Sequence, residues 1–85
     1  MKHLTSSSFW DCYKHLPPNI RDLADKNFKL LKENLYHPSL HTKKAGKYWS
    51  VRIGKRYRAL ATDIEDNLLW FWIGTHSDYD SLLNR

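Results

Sequence analysis

Two arginines, Arg52 and Arg58, flank Gly54 inside a stretch that contains no acid. A guanidinium is permanently charged and presents a planar fork of donors, so two of them on one surface suit a phosphate. Around them the basic residues accumulate. Residues 34–62 carry Lys43, Lys44, Lys47, Arg52, Lys55, Arg56 and Arg58 without one Asp or Glu, a net +7; residues 1–33 sum to +2 and residues 63–85 to −4. An acid-free basic run is an electrostatic footprint for a polyanion, either nucleic acid or an acidic protein segment. The plainer alternative is a solvated basic surface with no dedicated partner. His76 follows a long apolar run and can exchange protons near neutral pH. His41, beside the lysine pair, is a weaker candidate base. His3, His15 and His37 receive no role. Cys12 is the only cysteine, which excludes an internal disulfide framework and a Cys-rich zinc site, and without evident cationic activation it is expected to be inert.

These side chains can meet only in a folded chain, and the composition supports one. At 41% hydrophobic and 14% aromatic, with three Gly and three Pro, the sequence is unlike a disordered tail. Its 85 residues allow one domain, residues 1–85, with a small core. No apolar run approaches the roughly 20 residues of a bilayer span. The opening MKHLTSSSFW has no stretch apolar enough for a signal peptide. A soluble, cytoplasmic protein is expected.

Phe9, Tyr13 and Leu16 fall at helical spacing after Ser6, Ser7 and Ser8, any of which can cap a helix start. Pro17 and Pro18 break that helix, and a second should begin near Pro18, where proline suits a first turn. Ile20, Leu23, Ala24, Phe28, Leu31 and Leu35 form its apolar face, and the His37-Pro38 step ends it. The period then changes to 2. Leu40–Lys44 reads as a short strand, Tyr48–Ile53 and Tyr57–Thr62 as longer ones, and the apolar Leu68–Thr75 as a central strand buried on both faces. His76 and Ser77 open a last helical turn, with Asp78 and Asp80 suited to its dipole. The fold class is α+β: a helical pair packed on one face of a small antiparallel sheet, with a short C-terminal helix.

The register of the middle hairpin follows from keeping its faces consistent. A two-residue loop would pair Val51 with Arg58, mixing a core residue and a cation on one face. A three-residue loop, Gly54-Lys55-Arg56, pairs Val51 with Ala59 and Arg52 with Arg58. Trp49, Val51, Ile53, Tyr57, Ala59 and Ala61 then face the helices. Tyr48, Ser50, Arg52, Arg58 and Leu60 share the open face, with both arginines close enough to act on one phosphate.

The run Leu40 to Tyr79, with WSVRI, YRAL and WFWIGTHSDYD after an HPSL turn, resembles the RelE/ParE toxin superfamily, closest to its short RelE-like branch. The resemblance implies a toxin of a type II toxin–antitoxin pair, neutralised by a cognate antitoxin. RelE-like members are metal-independent endoribonucleases, many cutting mRNA in the ribosomal A site, so no cofactor is implied. ParE-like members instead inhibit DNA gyrase. Arg58, in YRAL, matches the arginine of the nuclease members, and His76 a histidine that some of them place near the C-terminus. Lys43 and Lys44 resemble lysines that hold RNA phosphates. Two departures stand out: the last strand lacks a second arginine, and residues 34–62 offer no glutamate as base.

Cutting RNA without metal uses the 2′-OH against its own phosphodiester. It needs a proton acceptor, stabilisation of the charged transition state, and a proton donor to the leaving 5′-oxygen. Arg58 and Arg52 suit the middle task and His76 the proton transfers, making these three the candidate catalytic residues. Lys43, Lys44, Lys47, Lys55, Arg56 and Tyr79 are the candidate RNA-binding residues, Tyr79 as a proton donor or a stacking ring. Each has a plainer role: His76 as a helix cap, Arg58 as a partner of Asp80 or the C-terminal carboxylate, the lysines as solubilising charge. Trp49, Trp70 and Trp72 are read as packing. The expected function is an mRNA endoribonuclease toxin, at the ribosome or free of it. The rivals are a gyrase inhibitor and a non-catalytic RNA- or protein-binding domain.

Overall fold

Ser6 is the serine that caps the first helix. Its backbone is extended (φ −93°, ψ 166°), and its side chain accepts a hydrogen bond from the Phe9 N–H to start α1 (Ser7–Lys14). The computed structural model describes residues 2–84. A short β1 (His3–Thr5) precedes α1; α2 (Pro18–Glu33), a 3₁₀ turn (Pro38–Leu40), β2 (Lys43–Ala45), β3 (Tyr48–Ile53), β4 (Tyr57–Ile64), β5 (Asn67–Thr75) and α3 (His76–Leu83) follow. No helix among the described residues is long and apolar enough to cross a membrane.

Two boundaries differ from expectation for local reasons. α2 ends at Glu33, short of the His37-Pro38 step. Asn34 turns extended (φ −158°, ψ 103°) and its Oδ1 accepts from the Tyr36 N–H, so a side chain diverts the backbone before proline can. The strand expected from Leu40 begins only at Lys43. Leu40 is fully buried as the anchor of the 3₁₀ turn, and His41 adopts a left-handed conformation (φ 46°) that no strand accommodates.

The five strands lie in the order β1-β5-β4-β3-β2. The β3–β4 ladder has the register of the odd loop: Val51 opposite Ala59, Arg52 opposite Arg58, Ile53 opposite Tyr57. Gly54 carries φ 66°, and a Cβ there would lie 2.7 Å from Leu23 Cδ2, so both the torsion and the approach of α2 call for glycine. On the helix face, Val51, Ile53, Ala59, Ala61 and Trp70 are buried in one cluster with Phe9 and Leu31. The opposite face is not fully open. α3 rests on it through Tyr79, 4% exposed, whose hydroxyl bonds Ser50 Oγ at 3.3 Å.

β5 is not the central strand; β4 is, with β5 between it and β1. Nor is β5 buried on both faces. Leu60 pairs with Trp72 but Ala61 pairs with Trp70, so Phe71 is an extra residue in a β-bulge. Trp70 points under the helices at 0% exposure, while Phe71 and Trp72 are half-buried on the other face. Without the bulge, strict alternation would drive both indoles into the same small core.

β1 pairs in parallel with β5, His3 opposite Leu68 and Thr5 opposite Trp70. Three residues are too few to show a period, which is why sequence reading passes over them. His3, assigned no role above, is a structural residue: its Nδ1 accepts a hydrogen bond from Trp70 Nε1 at 3.1 Å. That bond requires an unprotonated Nδ1. Burial first, and neighbouring positive charge including that of Lys32 second, lower the His3 pKa from its ordinary 6.5. The unfolded chain therefore binds the extra proton more readily. The stability contributed by His3 is complete above pH 6.5 and is lost as the pH falls through the lowered folded value. Thermal melts should show a midpoint that drops between pH 7 and pH 5. His3→Asn, whose amide oxygen can replace Nδ1 as an acceptor without titrating, should flatten that drop.

Candidate active site

The β3–β4 hairpin sets Arg52 directly across from Arg58, and both side chains are half-buried. Cross-strand neighbours have Cβ atoms about 5 Å apart, so like charges here repel. The backbone around them is pinned. Asn27, a buried polar residue of α2, donates from Nδ2 to the Arg52 carbonyl at 3.2 Å. Arg58 donates from Nη1 to the Tyr57 carbonyl at 3.0 Å; among the described residues it makes no ion pair with Asp80. Burial, and then the charge of Arg52, lower the Arg58 pKa, with Tyr79 and Asp80 opposing. Arg52 Nε is buried with no hydrogen-bond partner. Two cations are thus held together, imperfectly paired, where an anion would relieve both.

A histidine stands on each side of this pair. Arg52, Arg58, His41 and Lys43 line one hollow of about 410 Å³, and Arg52, Arg58, Arg56 and His76 line another of about 540 Å³. His41 Nε2 lies 3.4 Å from Arg52 Nη1. A guanidinium only donates, so this contact is a hydrogen bond when Nε2 bears its lone pair, the form a general base needs. Its left-handed backbone is held by Leu40, buried below, and by Thr42, whose Oγ1 donates to the Leu35 carbonyl. A strained non-glycine residue fixed by its surroundings fits a working site. Little in the sequence marked His41 beyond its place beside the lysines; the strain and the Arg52 contact are visible only in three dimensions.

His76 is the first residue of α3 but not its cap. Thr75 is the cap, its Oγ1 accepting from the Asp78 N–H at 3.1 Å. The His76 backbone N–H donates to the Arg56 carbonyl at 2.7 Å, tying α3 to the hairpin turn. Its Nδ1 lies 3.5 Å from Asp80 Oδ2 one helical turn on, and its ring stacks on Tyr79 with centroids 5.9 Å apart. A carboxylate facing Nδ1 leaves Nε2 for a substrate.

The remaining candidates divide. Lys55 and Arg56 sit exposed in the turn and line the His76 hollow. Lys43 pairs with Ser50 and so shares the arginine face, its Nζ 5.9 Å from the Tyr79 ring centroid. Lys44, one residue on, points to the other face. Its Nζ is 2.7 Å from Asp63 Oδ2 and 4.7 Å over Trp49, and that hydrogen bond is the main reason the Asp63 pKa is lowered. The sequence expectation that Lys43 and Lys44 act together therefore fails on strand alternation. Tyr79 fails as a stacking ring because it is buried with its hydroxyl on Ser50. No group of three or more His, Cys, Asp or Glu side chains among the described residues is arranged to hold a metal ion.

The model of the ParE-like toxin domain family matches residues 18–81. The chain belongs to this family. Its fold is similar to a chain of the RelB–RelE antitoxin–toxin complex from Methanococcus jannaschii, with TM-score 0.73 and 22% identity over 92% of this chain and 96% of that one. It is also similar to the YoeB/ParE toxin from Agrobacterium tumefaciens (TM-score 0.68, 18% identity, 89% and 99% covered) and to YafQ from E. coli (0.69, 15%, 92% and 96%). At these identities the similarity establishes the α+β fold of such toxins. No curated protein matches the sequence at a significant level.

The split between the lysines has a measurable consequence for this toxin domain. Affinity for single-stranded RNA should fall linearly in a log–log salt titration, with a slope near −0.7 per phosphate contacted. Lys43→Ala should weaken binding to all sequences and make the slope shallower by roughly that amount. Lys44→Ala should leave the slope unchanged. Affinity that ignores salt would remove the phosphate-binding reading altogether.

Proposed function

We propose that the protein is a metal-independent mRNA endoribonuclease toxin, held in check in the cytoplasm by a cognate antitoxin. The observation that carries this reading is the Arg52–Arg58 pair, two like charges placed face to face between two histidines. Like charges directly opposite each other cost a sheet stability, and perturbed titratable groups cluster at functional sites, which supports this reading. The similar toxin structures supply the fold on which such a site sits.

In this mechanism Arg52 turns from His41 to the phosphate, and the freed lone pair of His41 Nε2 accepts the 2′-OH proton. The 2′-oxygen attacks the adjacent phosphorus, and Arg52 and Arg58 stabilise the negative charge that accumulates on the phosphoryl oxygens. The P–O5′ bond breaks. His76, oriented by Asp80, gives its proton to the leaving 5′-oxygen, and the products are a 2′,3′-cyclic phosphate and a 5′-hydroxyl end. Lys43, Lys55 and Arg56 hold flanking phosphates.

Arg58→Ala should lower turnover by about 10²–10³-fold, the scale of losing one transition-state donor. Arg58→Lys should recover little, because a point charge cannot reproduce the planar fork. His41→Gln and His76→Gln should each cost about 10²–10⁴-fold and each remove one limb of a bell-shaped pH–rate profile. Growth arrest and primer-extension mapping of mRNA ends in cells expressing each variant provide the check. The match to a ParE-like toxin domain, together with the gyrase inhibition that resemblance to ParE-like members implies, makes a gyrase-directed toxin the second reading. Variants of Arg58 and His76 that arrest growth as strongly as the parent would establish it, or a binding-only one, instead.

The antitoxin reading carries its own test. An acidic, disordered segment can order itself on the basic face and along the free edge of β2. Co-expression of the protein encoded next to this one should restore growth, and the two should co-purify. Separate elution at low salt counts against a cognate pair.

A further inference from the structure

The bulge in β5 leaves something beside the arginine site that the proposed chemistry does not use. It brings Phe71 to the face that carries Arg52 and Arg58, where its ring lies 5.1 Å from that of Tyr48 at an interplanar angle of 57°. Lys47 Nζ stands 5.4 Å from the Tyr48 centroid. Together with Thr62 these side chains border a hollow of about 310 Å³, at the lower end of small-ligand clefts. Both rings are half-buried, so each keeps part of its surface toward solvent. Trp72, the other aromatic that the bulge delivers, is differently occupied. It lies across Gly74, where an added Cβ would sit 2.5 Å from its ring, and it is spent on packing.

We infer that Tyr48 and Phe71 form a nucleobase-stacking subsite for the single-stranded RNA whose phosphate the arginines hold. The inference rests on the RNA reading above and adds to it where a neighbouring base goes. Tyr48 and Arg52 lie on one face of β3, four residues and about 13 Å apart. That is too far for the nucleotide at the arginines and suits one further along the strand. Lys43 and then Lys47 continue the positive charge along the same border, and no acid occurs from residue 34 to 62. Asp63, which follows that stretch, is held on the opposite face by Lys44 and Trp49. Half-exposed aromatic rings bordered by cations match single-stranded nucleic acid: every base has a π-face, and the cations follow the backbone.

The experiment measures binding of 2′-O-methyl oligoribonucleotides, which cannot be cut through their 2′-oxygen, so occupancy is read separately from cleavage. Tyr48→Leu and Phe71→Leu should weaken binding between about fivefold and about 150-fold, the range for one stacked base. The log–log salt slope should not change, since no phosphate contact is lost. Tyr48→Phe should bind like the parent. An abasic position scanned along the oligonucleotide should cost the parent affinity at one place, and in Tyr48→Leu that cost should vanish. The inference is overturned if Tyr48→Leu, melting at the parent's temperature, binds as tightly as the parent, or if the abasic scan of the parent is flat. It is equally overturned if the variants keep RNA affinity and instead lose a neutralising protein partner. Stacking-dependent binding by a parent that never cuts natural RNA would uphold the subsite and reject the nuclease.

Discussion

The three-residue turn Gly54-Lys55-Arg56 sets β3 against β4 so that one alternation serves two purposes. Val51 meets Ala59 beneath the helices, and Arg52 meets Arg58 above. A slip of one residue would exchange the faces, burying guanidiniums under α2 and exposing the core. The turn in turn depends on Gly54, whose left-handed torsion and contact with Leu23 fasten the hairpin to α2. Asn27, on the same helix, holds the carbonyl of Arg52. The site is thus positioned from beneath by the helical layer.

The energetics of the two faces are opposed. Burial of apolar side chains against α1 and α2 stabilises the sheet from one side. On the other, the hairpin holds two cations together, partly withdraws Arg58 from water and leaves a guanidinium nitrogen without a partner. These are costs that the apolar side offsets. The same division explains α3. Tyr79 and Leu60 bury the middle of the upper face and leave the cations at its margin.

Sequence reading recovered what face consistency controls: the order of the larger elements, the hairpin register and the meeting of Arg52 with Arg58. It missed what depends on a single residue or a distant one. β1 is too short for a period, and its partner is at the far end of the chain. The bulge at Phe71 is invisible because an apolar run shows no preferred face. Lys43 and Lys44 read as one feature although adjacent strand residues point apart, and the partner that occupies Lys44, Asp63, lies beyond the next strand pairing. Tyr79 looked available because a helix at the end of a sheet gives no sign of which side it folds onto. His41 gains its interest from a backbone torsion that no residue type announces.

The parallel pairing of β1 with β5 has a temporal side. His3 meets Leu68 across 65 residues of the polypeptide, and contacts so distant in sequence are the slow ones to form. During synthesis, which proceeds from the amino end, His3–Thr5 waits unpaired until residues 68–70 have been made. His76, which follows β5 directly, reaches Arg58 only after that. The nascent chain therefore holds both arginines without His76 while residues 59–75 are added. The hollow that both arginines share with His76 is thus completed only after β5 has been made.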